Sequence, residues 1–484
     1  MTEGLNPVYF VLGSPLVAAA LLALIPGRWQ ILASRLNALA SLATLFAGSS
    51  LFLSRPLPTN FIFIDDFNIY LVVLTAFVGF TTSVFSASYI RHELDTGRLD
   101  GAKLRFYHAM YQAFLFTMLL ALVANNLGVM WVAVEGATLT TALMISLYRT
   151  REAIEAAWKY FILCGVGIAL ALFGTILMYL AAQPVMGSGL EAMAWASIIG
   201  RVGAFDPAIL NLAFVFLLVG YGTKVGLAPL HAWLPDAHAE GPTPISAVLS
   251  GLLLNVALYA VLRFKMLLAG NSGALAPGPL MITMGLSSLL LASFMLYRRR
   301  DIKRLFAYSS IEHMGIITFA FGLGGPLANF AGLLHMTMHS LAKSGIFFAV
   351  GHIAQVKDTQ KIADIRGLTT GHPALGWGFL IAVVAIAGLP PFGIFMSEFL
   401  VATSTIAHQP WLALPLVIGL LVSFGALILR LQGMAFGAPS PQPHKPVSAS
   451  LVPLWAHLSL VLLAGLHLPA ALVQWFQSVA RILG

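Results

Sequence analysis

About fourteen apolar stretches run through this chain from end to end, each close to the ~20 residues a helix needs to cross a bilayer. Read coarsely, they cover 8–26, 32–53, 67–89, 108–124, 127–148, 158–182, 208–229, 243–262, 277–297, 304–323, 329–353, 374–403, 411–429 and 449–477. Backbone groups in hydrocarbon have no water to bond, so a spanning segment must close its own hydrogen bonds. Long apolar runs do this as α-helices. The expected fold class is therefore an all-α polytopic membrane protein, a single membrane domain over 1–484. Charged residues make up only 9% of the chain, against roughly 25% in soluble domains. Hydrophobic residues make up 59%, and the mean hydropathy is +0.89. A water-facing surface cannot be built from that composition. The single cysteine, Cys164, excludes an internal disulfide, a Cys-ligated iron–sulfur cluster and a multi-Cys zinc site within this chain. The first stretch reads as a retained helix, because its leading flank carries Glu3 and no Lys or Arg.

The net charge of +8 and pI of 9.6 are explained by sidedness rather than by nucleic acid. With fourteen spans the loops fall into two sets. One set, which includes both chain ends, holds five basic residues: Arg55, Arg201, Arg263, Lys265 and Arg481. The other holds eighteen, running from Arg28 and Arg35 through Arg298–Arg300, Lys303 and Arg304 to Arg430 and Lys445. The positive-inside rule puts the rich set in the cytoplasm and both termini on the periplasmic side of a bacterial inner membrane. No soluble domain interrupts the spans, and the most polar stretch, 435–450, is a short Pro-rich loop.

One internal repeat is informative. Gly226-Leu227-Ala228-Pro229-Leu230 in the seventh stretch matches Gly388-Leu389-Pro390-Pro391-Phe392 in the twelfth, 162 positions on, and at the same offset Asp236 matches Glu398. Five spans separate the two, so the matching elements sit in the bilayer with opposite orientation. Inverted repeats with Gly/Pro-broken helices mark transport folds, since unwound backbone at membrane depth is tolerated where it lines a polar cavity. Gly-Leu-x-Pro is also a common kink sequence, and that reading stays open at this point.

The costly residues point to function. A charge at the bilayer centre costs on the order of 2.5–3.5 kcal/mol on insertion scales. Glu135, Lys224, His335, His339, Lys343, Glu312, His313 and Glu398 all fall within apolar stretches, on five of them. His335, His339 and Lys343 recur every four residues and share one helical face. Imidazole suits proton relay because its ordinary pKa lies near neutrality. Glu135 and Lys224 read either as a structural ion pair or as a pair that a proton can open. Lys159 either snorkels to the interface or joins the line of charges. Asp236, His238 and Glu240 either flank a cavity mouth or cap the next helix. Paired interior histidines also raise haem ligation, but His335 and His339 project from one helix, whereas bis-His haem in a bundle takes ligands from facing helices. No Gly-rich loop precedes Lys-Ser/Thr, and no dinucleotide fingerprint appears.

The run Lys224-Val-Gly-Leu-Ala-Pro-Leu-His231-Ala-Trp-Leu-Pro-Asp236-Ala-His238, followed by Pro242-Thr243, resembles the signature of the proton-pumping antiporter-like subunits. That family includes the L, M and N subunits of respiratory complex I, Mrp-type antiporters and the membrane arms of group 4 hydrogenases. The segments Leu147–Thr150, Ala153–Phe161 and Ser310–Met314 are similar to the hydrogenase-4 component F branch. The resemblance implies fourteen helices with two inverted five-helix repeats, each with one broken helix: three N-terminal helices over 1–107, repeats over 108–262 and 277–429, and a last helix over 449–484. It implies that Glu135 is the essential glutamate of the fifth helix, Lys224 the lysine of the seventh and Glu398 an ionisable exit residue of the twelfth. His339 and Lys343 then belong to the central axis. Relatives of the complex I type carry a lysine where this chain has Asn255, which can only hydrogen-bond or orient water.

The expected function is thus a proton-translocating membrane subunit of a redox-driven complex, hydrogenase-4/formate hydrogenlyase-like or complex I-like; the alternative is a stand-alone Mrp-type cation/proton antiporter. The expected site comprises Glu135, Lys224, His231, His335, His339, Lys343, Glu398, Glu312, His313, Lys159, Asp236, His238 and Asn255. The chain itself is expected to hold no cofactor and no redox centre. Its expected partners are other antiporter-like subunits, a peripheral redox arm of the [NiFe] hydrogenase type, and lipid; no nucleic acid is expected.

Overall fold

In the computed structural model, residues 6–438 and 450–484 are described. Glu3, Lys445 and most of the Pro-rich loop lie outside them. The first half comprises α1 (Pro7–Leu24), α2 (Gln30–Ser50), α3 (Asp66–Asp95), α4 (Gly101–Val123), α5 (Leu127–Ile145), α6 (Arg151–Met186), the single turn α7 (Trp195–Ile198), α8 (Pro207–Val225), α9 (Leu234–Glu240) and α10 (Thr243–Val248). The second comprises α11 (Leu254–Ala269), α12 (Gly278–Leu296), α13 (Ile302–Leu323), α14 (Gly325–Lys357), the turn α15 (Leu368–Gly371), α16 (Pro373–Ile386), α17 (Gly393–His408), α18 (Ala413–Phe436), α19 (Val452–Leu466) and α20 (Ala470–Ile482).

Several helices start where a polar residue can take the orphan N–H groups of the first turn. Asp65 and Asn68 form a reciprocal capping box on α3. Asp100, Asn126, Thr150, Asp206 and Asp301 cap α4, α5, α6, α8 and α13 through their side chains. Each of the fourteen expected stretches contains a helix or a helix pair. Among the described residues, ten helical segments are long and apolar enough to cross a membrane, eleven if the bent pair α19/α20 is one span. The expected count of fourteen also took in α13 and α14, whose His, Glu and Lys residues lower their hydropathy, and the pair α16/α17, whose halves have 14 and 16 residues. The last stretch departs from expectation. It bends by 81° between Leu466 and Ala470, where Pro469 cannot continue a helix. From there α20 turns back onto α3, with Trp475 Nε1 donating to the Asp66 carbonyl and Ser478 Oγ to the Asp66 carboxylate.

The distribution of side chains is that of a membrane protein. Large apolar residues such as Leu24, Phe46, Leu53, Trp411 and Leu421 face outward, while Lys224, Glu312, His313, His335, His339 and Lys343 are buried. The segment from α10 to α11 is enclosed on every side, and α14 runs beside it at the centre, packed against α3, α10, α13, α16, α17, α19 and α20. Between α10 and α11 a π-helical turn, Leu249–Leu253, widens the helix. Gly251 lies in it because a Cβ there would collide with the Ser344 hydroxyl of α14.

Ion pairs respect the two-sided charge sorting. Arg55 pairs with Asp66, and Arg263 with Asp65, at one end of α3. Arg98 with Asp358, and Arg304 with Asp236 and Glu240, lie on the Arg-rich side. Among the described residues no ion pair joins one set to the other. Three basic residues expected in loops are nonetheless buried. Arg263 sits within α11 in a bidentate bond to Asp65 (2.7 and 2.8 Å), among the rings of Trp195, Tyr259, Phe67 and Phe63. Lys265 Nζ donates to the Leu483 carbonyl at 3.0 Å. Lys303 Nζ donates to the carbonyls of Ala239 and Gly241 at 3.2 and 2.6 Å. Each keeps its charge inside because fixed oxygens replace water.

Candidate functional site

Two helix breaks organise the interior. α8 ends at Val225, and Gly226 closes it in the left-handed region (φ 80°) before α9 begins at Leu234. α16 ends at Ile386, and Gly388 (φ 74°) opens the gap before α17. The glycines are required, since a Cβ in that region is strained. At Gly388 the added atom would also strike the Glu398 carboxylate, and at Gly226 it would meet Leu234 Cδ1 at 2.6 Å.

Lys224 occupies the last turn of α8, fully buried. Its Nζ donates to the Tyr160 hydroxyl at 2.7 Å and lies 4.6 Å from the centre of the Tyr160 ring and 5.8 Å from that of Trp233. Glu135 is half-buried on α5 with one carboxylate oxygen lacking a protein partner. The two charges interact electrostatically, together with Cys164, but they form no contact ion pair; the Tyr160 hydroxyl takes the amine instead. Tyr160 entered the sequence reading only as part of a family motif. A signal was available: an aromatic hydroxyl next to Lys159, on a helix that must pack against α8.

Beyond the first break the polar line continues on α10, α11, α13 and α14. Asn255 Nδ2 donates to Ser340 Oγ (2.6 Å) and to the Gly251 carbonyl (3.3 Å), and its Oδ1 has no protein partner. The Ser250 and Ser310 hydroxyls lie 2.7 Å apart. Lys343 Nζ donates to the Phe306 carbonyl at 3.0 Å and interacts electrostatically with Glu312. Glu312 and His313 sit near the middle of α13 rather than at its end. Both ring nitrogens of His339 lack protein partners.

At the second break a hydrogen-bonded chain forms. His313 Nδ1 lies 2.9 Å from His335 Nε2, His335 Nδ1 lies 2.9 Å from Ser397 Oγ, and Ser397 Oγ lies 2.8 Å from the Ile394 carbonyl oxygen. The chain can run in either direction, since the hydroxyl proton of Ser397 can sit on the Ile394 carbonyl or on His335 Nδ1 and each neutral ring has one donor and one acceptor nitrogen. His313 Nε2 is a buried atom with no protein partner. Glu398 lies beside this chain, a carboxylate oxygen within 4.8 Å of a nitrogen of each ring.

Other expected site residues lie outside this line. Lys159 neither snorkels free nor enters the interior; it bonds Asp236 at 2.5 Å, with Arg304 on the other oxygen at 3.2 Å. Asp236 and Glu240 do not cap the next helix, which begins at Thr243 after Pro242 with no side-chain cap. His238 stacks flat on Phe347 at 4.9 Å, neither nitrogen bonded, and His231 lies near Tyr308. Among the described residues, Ser250, Ser310, Ser340, Ser397 and Tyr160 are the polar contributors that the sequence reading did not single out. Hydroxyls carry no charge penalty, so nothing in the apolar runs marks them.

A buried row of amines, carboxylates and imidazoles between broken inverted elements defines an ion-translocating membrane subunit. Residues 124–423 match the family described as NADH:quinone oxidoreductase/Mrp antiporter, TM, and the chain belongs to that family. It is 58% identical, over 93% of its own length and 95% of the relative's, to the hydrogenase-4 component F homolog of Methylacidiphilum infernorum (isolate V4). The fold matches a chain of the membrane-bound sulfane sulfur reductase, an archaeal respiratory membrane complex, with TM-score 0.88, 21% identity, and 98% and 97% of the two chains covered. It also matches a chain of respiratory complex I from Thermus thermophilus, with TM-score 0.81, 23% identity, and 99% and 100% covered.

Proposed function

We propose that this chain is the proton-translocating membrane subunit of a redox-driven complex of the hydrogenase-4 type, seated in a bacterial inner membrane with both termini on the periplasmic side. The supporting observation is the row itself: Glu135, Tyr160–Lys224, Asn255–Ser340, Lys343–Glu312, and His313–His335–Ser397 beside Glu398. Polar atoms along this row lack protein partners in Glu135, Asn255, Glu312, His313 and His339. Buried polar atoms of this kind are satisfied by water, so the row reads as a hydrated proton path.

In this reading Glu135 and Lys224 form the switch. Lys224 passes a proton toward Asn255 when the Glu135 carboxylate moves away, and water held by Asn255 and Ser340 carries it to Lys343 and His339. The imidazole chain delivers it to Glu398 for exit. His231 and His238 flank the path, and Lys159 with Asp236 holds α6 against α9 at its cytoplasmic end. Redox chemistry resides in partner subunits, with neighbouring antiporter-like subunits and a peripheral arm of the [NiFe] hydrogenase type as the expected company. The 58% identity to a hydrogenase-4 component F homolog favours this partner set over a stand-alone antiporter.

The test is Lys224→Met in membrane vesicles that carry the whole complex. Proton translocation should vanish while electron transfer by the soluble partners remains measurable. Unchanged translocation would overturn the reading, and cation-dependent proton flux in vesicles holding this chain without redox partners would establish the antiporter instead.

A further inference from the structure

The imidazole chain at the second break has the composition of a metal site as well as of a relay. We infer that His313, His335 and Glu398 form an intramembrane binding site for one divalent metal ion of the zinc type. One nitrogen from each ring and one carboxylate oxygen already lie within 4.8 Å of one another. Two imidazoles and a carboxylate are a zinc ligand set, with ligand distances of about 2.0–2.2 Å. The bonded ring nitrogens stand 2.9 Å apart. Tetrahedral zinc holds two imidazole nitrogens roughly 3.3 Å apart, from its bond lengths. Closing both rings onto one ion requires the nitrogens to part by a few tenths of an ångström, the bridging proton to leave and the rings to turn until both lone pairs converge, with the Glu398 side chain supplying the remaining movement.

Three further observations fit. With the Ser397 hydroxyl proton on Ile394, His335 donates from its far nitrogen to Ser397; such a bond orients a metal-ligating histidine and raises its basicity. Both nitrogens of His339 are buried with no protein partner, and the His339 ring centre is 5.6 Å from that of His313, so a further donor is at hand. Glu312 interacts electrostatically with Glu398, so two carboxylates balance a dication in a medium that would otherwise exclude it.

A metal here takes up the lone pairs that proton transfer uses, so under the proposed function it blocks the path. Binding itself does not depend on that reading, and the experiment keeps the two apart. Zn²⁺ is titrated into the purified full-length protein against a chromophoric chelator, and X-ray absorption is recorded on the wild-type loaded with one equivalent. We expect one tight site with two imidazoles and light-atom ligands in the zinc shell. Affinity should fall by about 10–100-fold in Ser397→Ala, the cost of losing a partner that orients a ligand, and by more in His335→Gln, His313→Gln and Glu398→Gln. It should be unchanged in the exposed-histidine control His408→Gln/His467→Gln. A wild-type spectrum without imidazole, or an affinity untouched in His335→Gln, overturns the site whether or not the other variants fold. Tight binding without loss of proton flux would leave the metal site standing and count against the path.

Discussion

The two broken helices use one backbone device for different chemistry. In both, a glycine with positive φ ends the first half-helix, and an acid follows ten residues later: Asp236 after Gly226, Glu398 after Gly388. Asp236 lies at the Arg-rich face between Lys159 and Arg304 and is fully engaged in ion pairs. Glu398 lies against the Gly388 backbone beside two histidines and makes no ion pair among the described residues. The break fixes where irregular backbone meets the interior. What the neighbouring helices bring decides whether the acid is held in ion pairs, as Asp236 is, or left beside imidazoles, as Glu398 is. Lys224 completes the contrast: the first break has its ionisable group before the glycine, on a tyrosine hydroxyl, and the second has it after.

The sharpest way to break this comparison is to neutralise the two acids. Glu398→Gln should reduce proton flux by about 100-fold or more, the scale of losing a positioned proton-transfer group. Asp236→Asn should leave most of the flux intact, so equal losses in vesicle assays would erase the distinction. Next come the glycines. Gly388→Ala adds backbone strain of roughly 1–2 kcal/mol and displaces the Glu398 carboxylate, so both the melting temperature and the flux should fall. Gly226→Ala carries the same strain but presses only on the flexible end of Leu234, and should lower stability with less effect on flux. Tyr160→Phe removes the acceptor of the Lys224 amine while keeping the ring, and should cost about 1–3 kcal/mol in thermal or denaturant unfolding. Lys159→Met breaks a pair that is partly open to solvent. Its effect should be under about 1 kcal/mol and should shrink further with added salt.

The smallest effect lies outside the membrane, where Asp100 caps α4. The backbone N–H of Lys103 is the main cause holding this carboxyl below its ordinary value. Because the folded pKa is depressed, the cap's contribution is complete above the unfolded carboxylate pKa and is lost as pH falls through the folded value. Amide protection at the start of α4, taken relative to the intrinsic exchange rate at each pH, should fall over that acidic window and stay constant there in Asp100→Asn.

Much of the site was legible because ionisable residues in apolar runs are conspicuous. Lys224, His335, His339, Lys343, Glu312 and Glu398 stand out in the sequence, and the Gly-Leu-x-Pro repeat marked both breaks. The four-residue spacing on α14 put three of them on one face before any coordinate was known. The partners were not legible, for a physical reason. Lys224 could be matched with Glu135 by charge, yet the amine bonds Tyr160, because a hydroxyl fixed by helix packing serves as well as a distant carboxylate. Arg263 read as a loop cation because nothing local records Asp65, which lies 198 residues away.

The chain's own pattern determined that it spans the membrane as helices, that two of them break, and which side carries the positive charge, since these depend on composition over about twenty residues and on glycine and proline chemistry at single positions. Tertiary structure alone decided which oxygen each buried cation rests on, that His313, His335 and Ser397 form one hydrogen-bonded chain, and that Asp236 and Glu398, equivalent in the repeat, have different surroundings. Those outcomes depend on distances of about 3 Å between groups on separate helices, and such distances are set by packing rather than by any local run of residues.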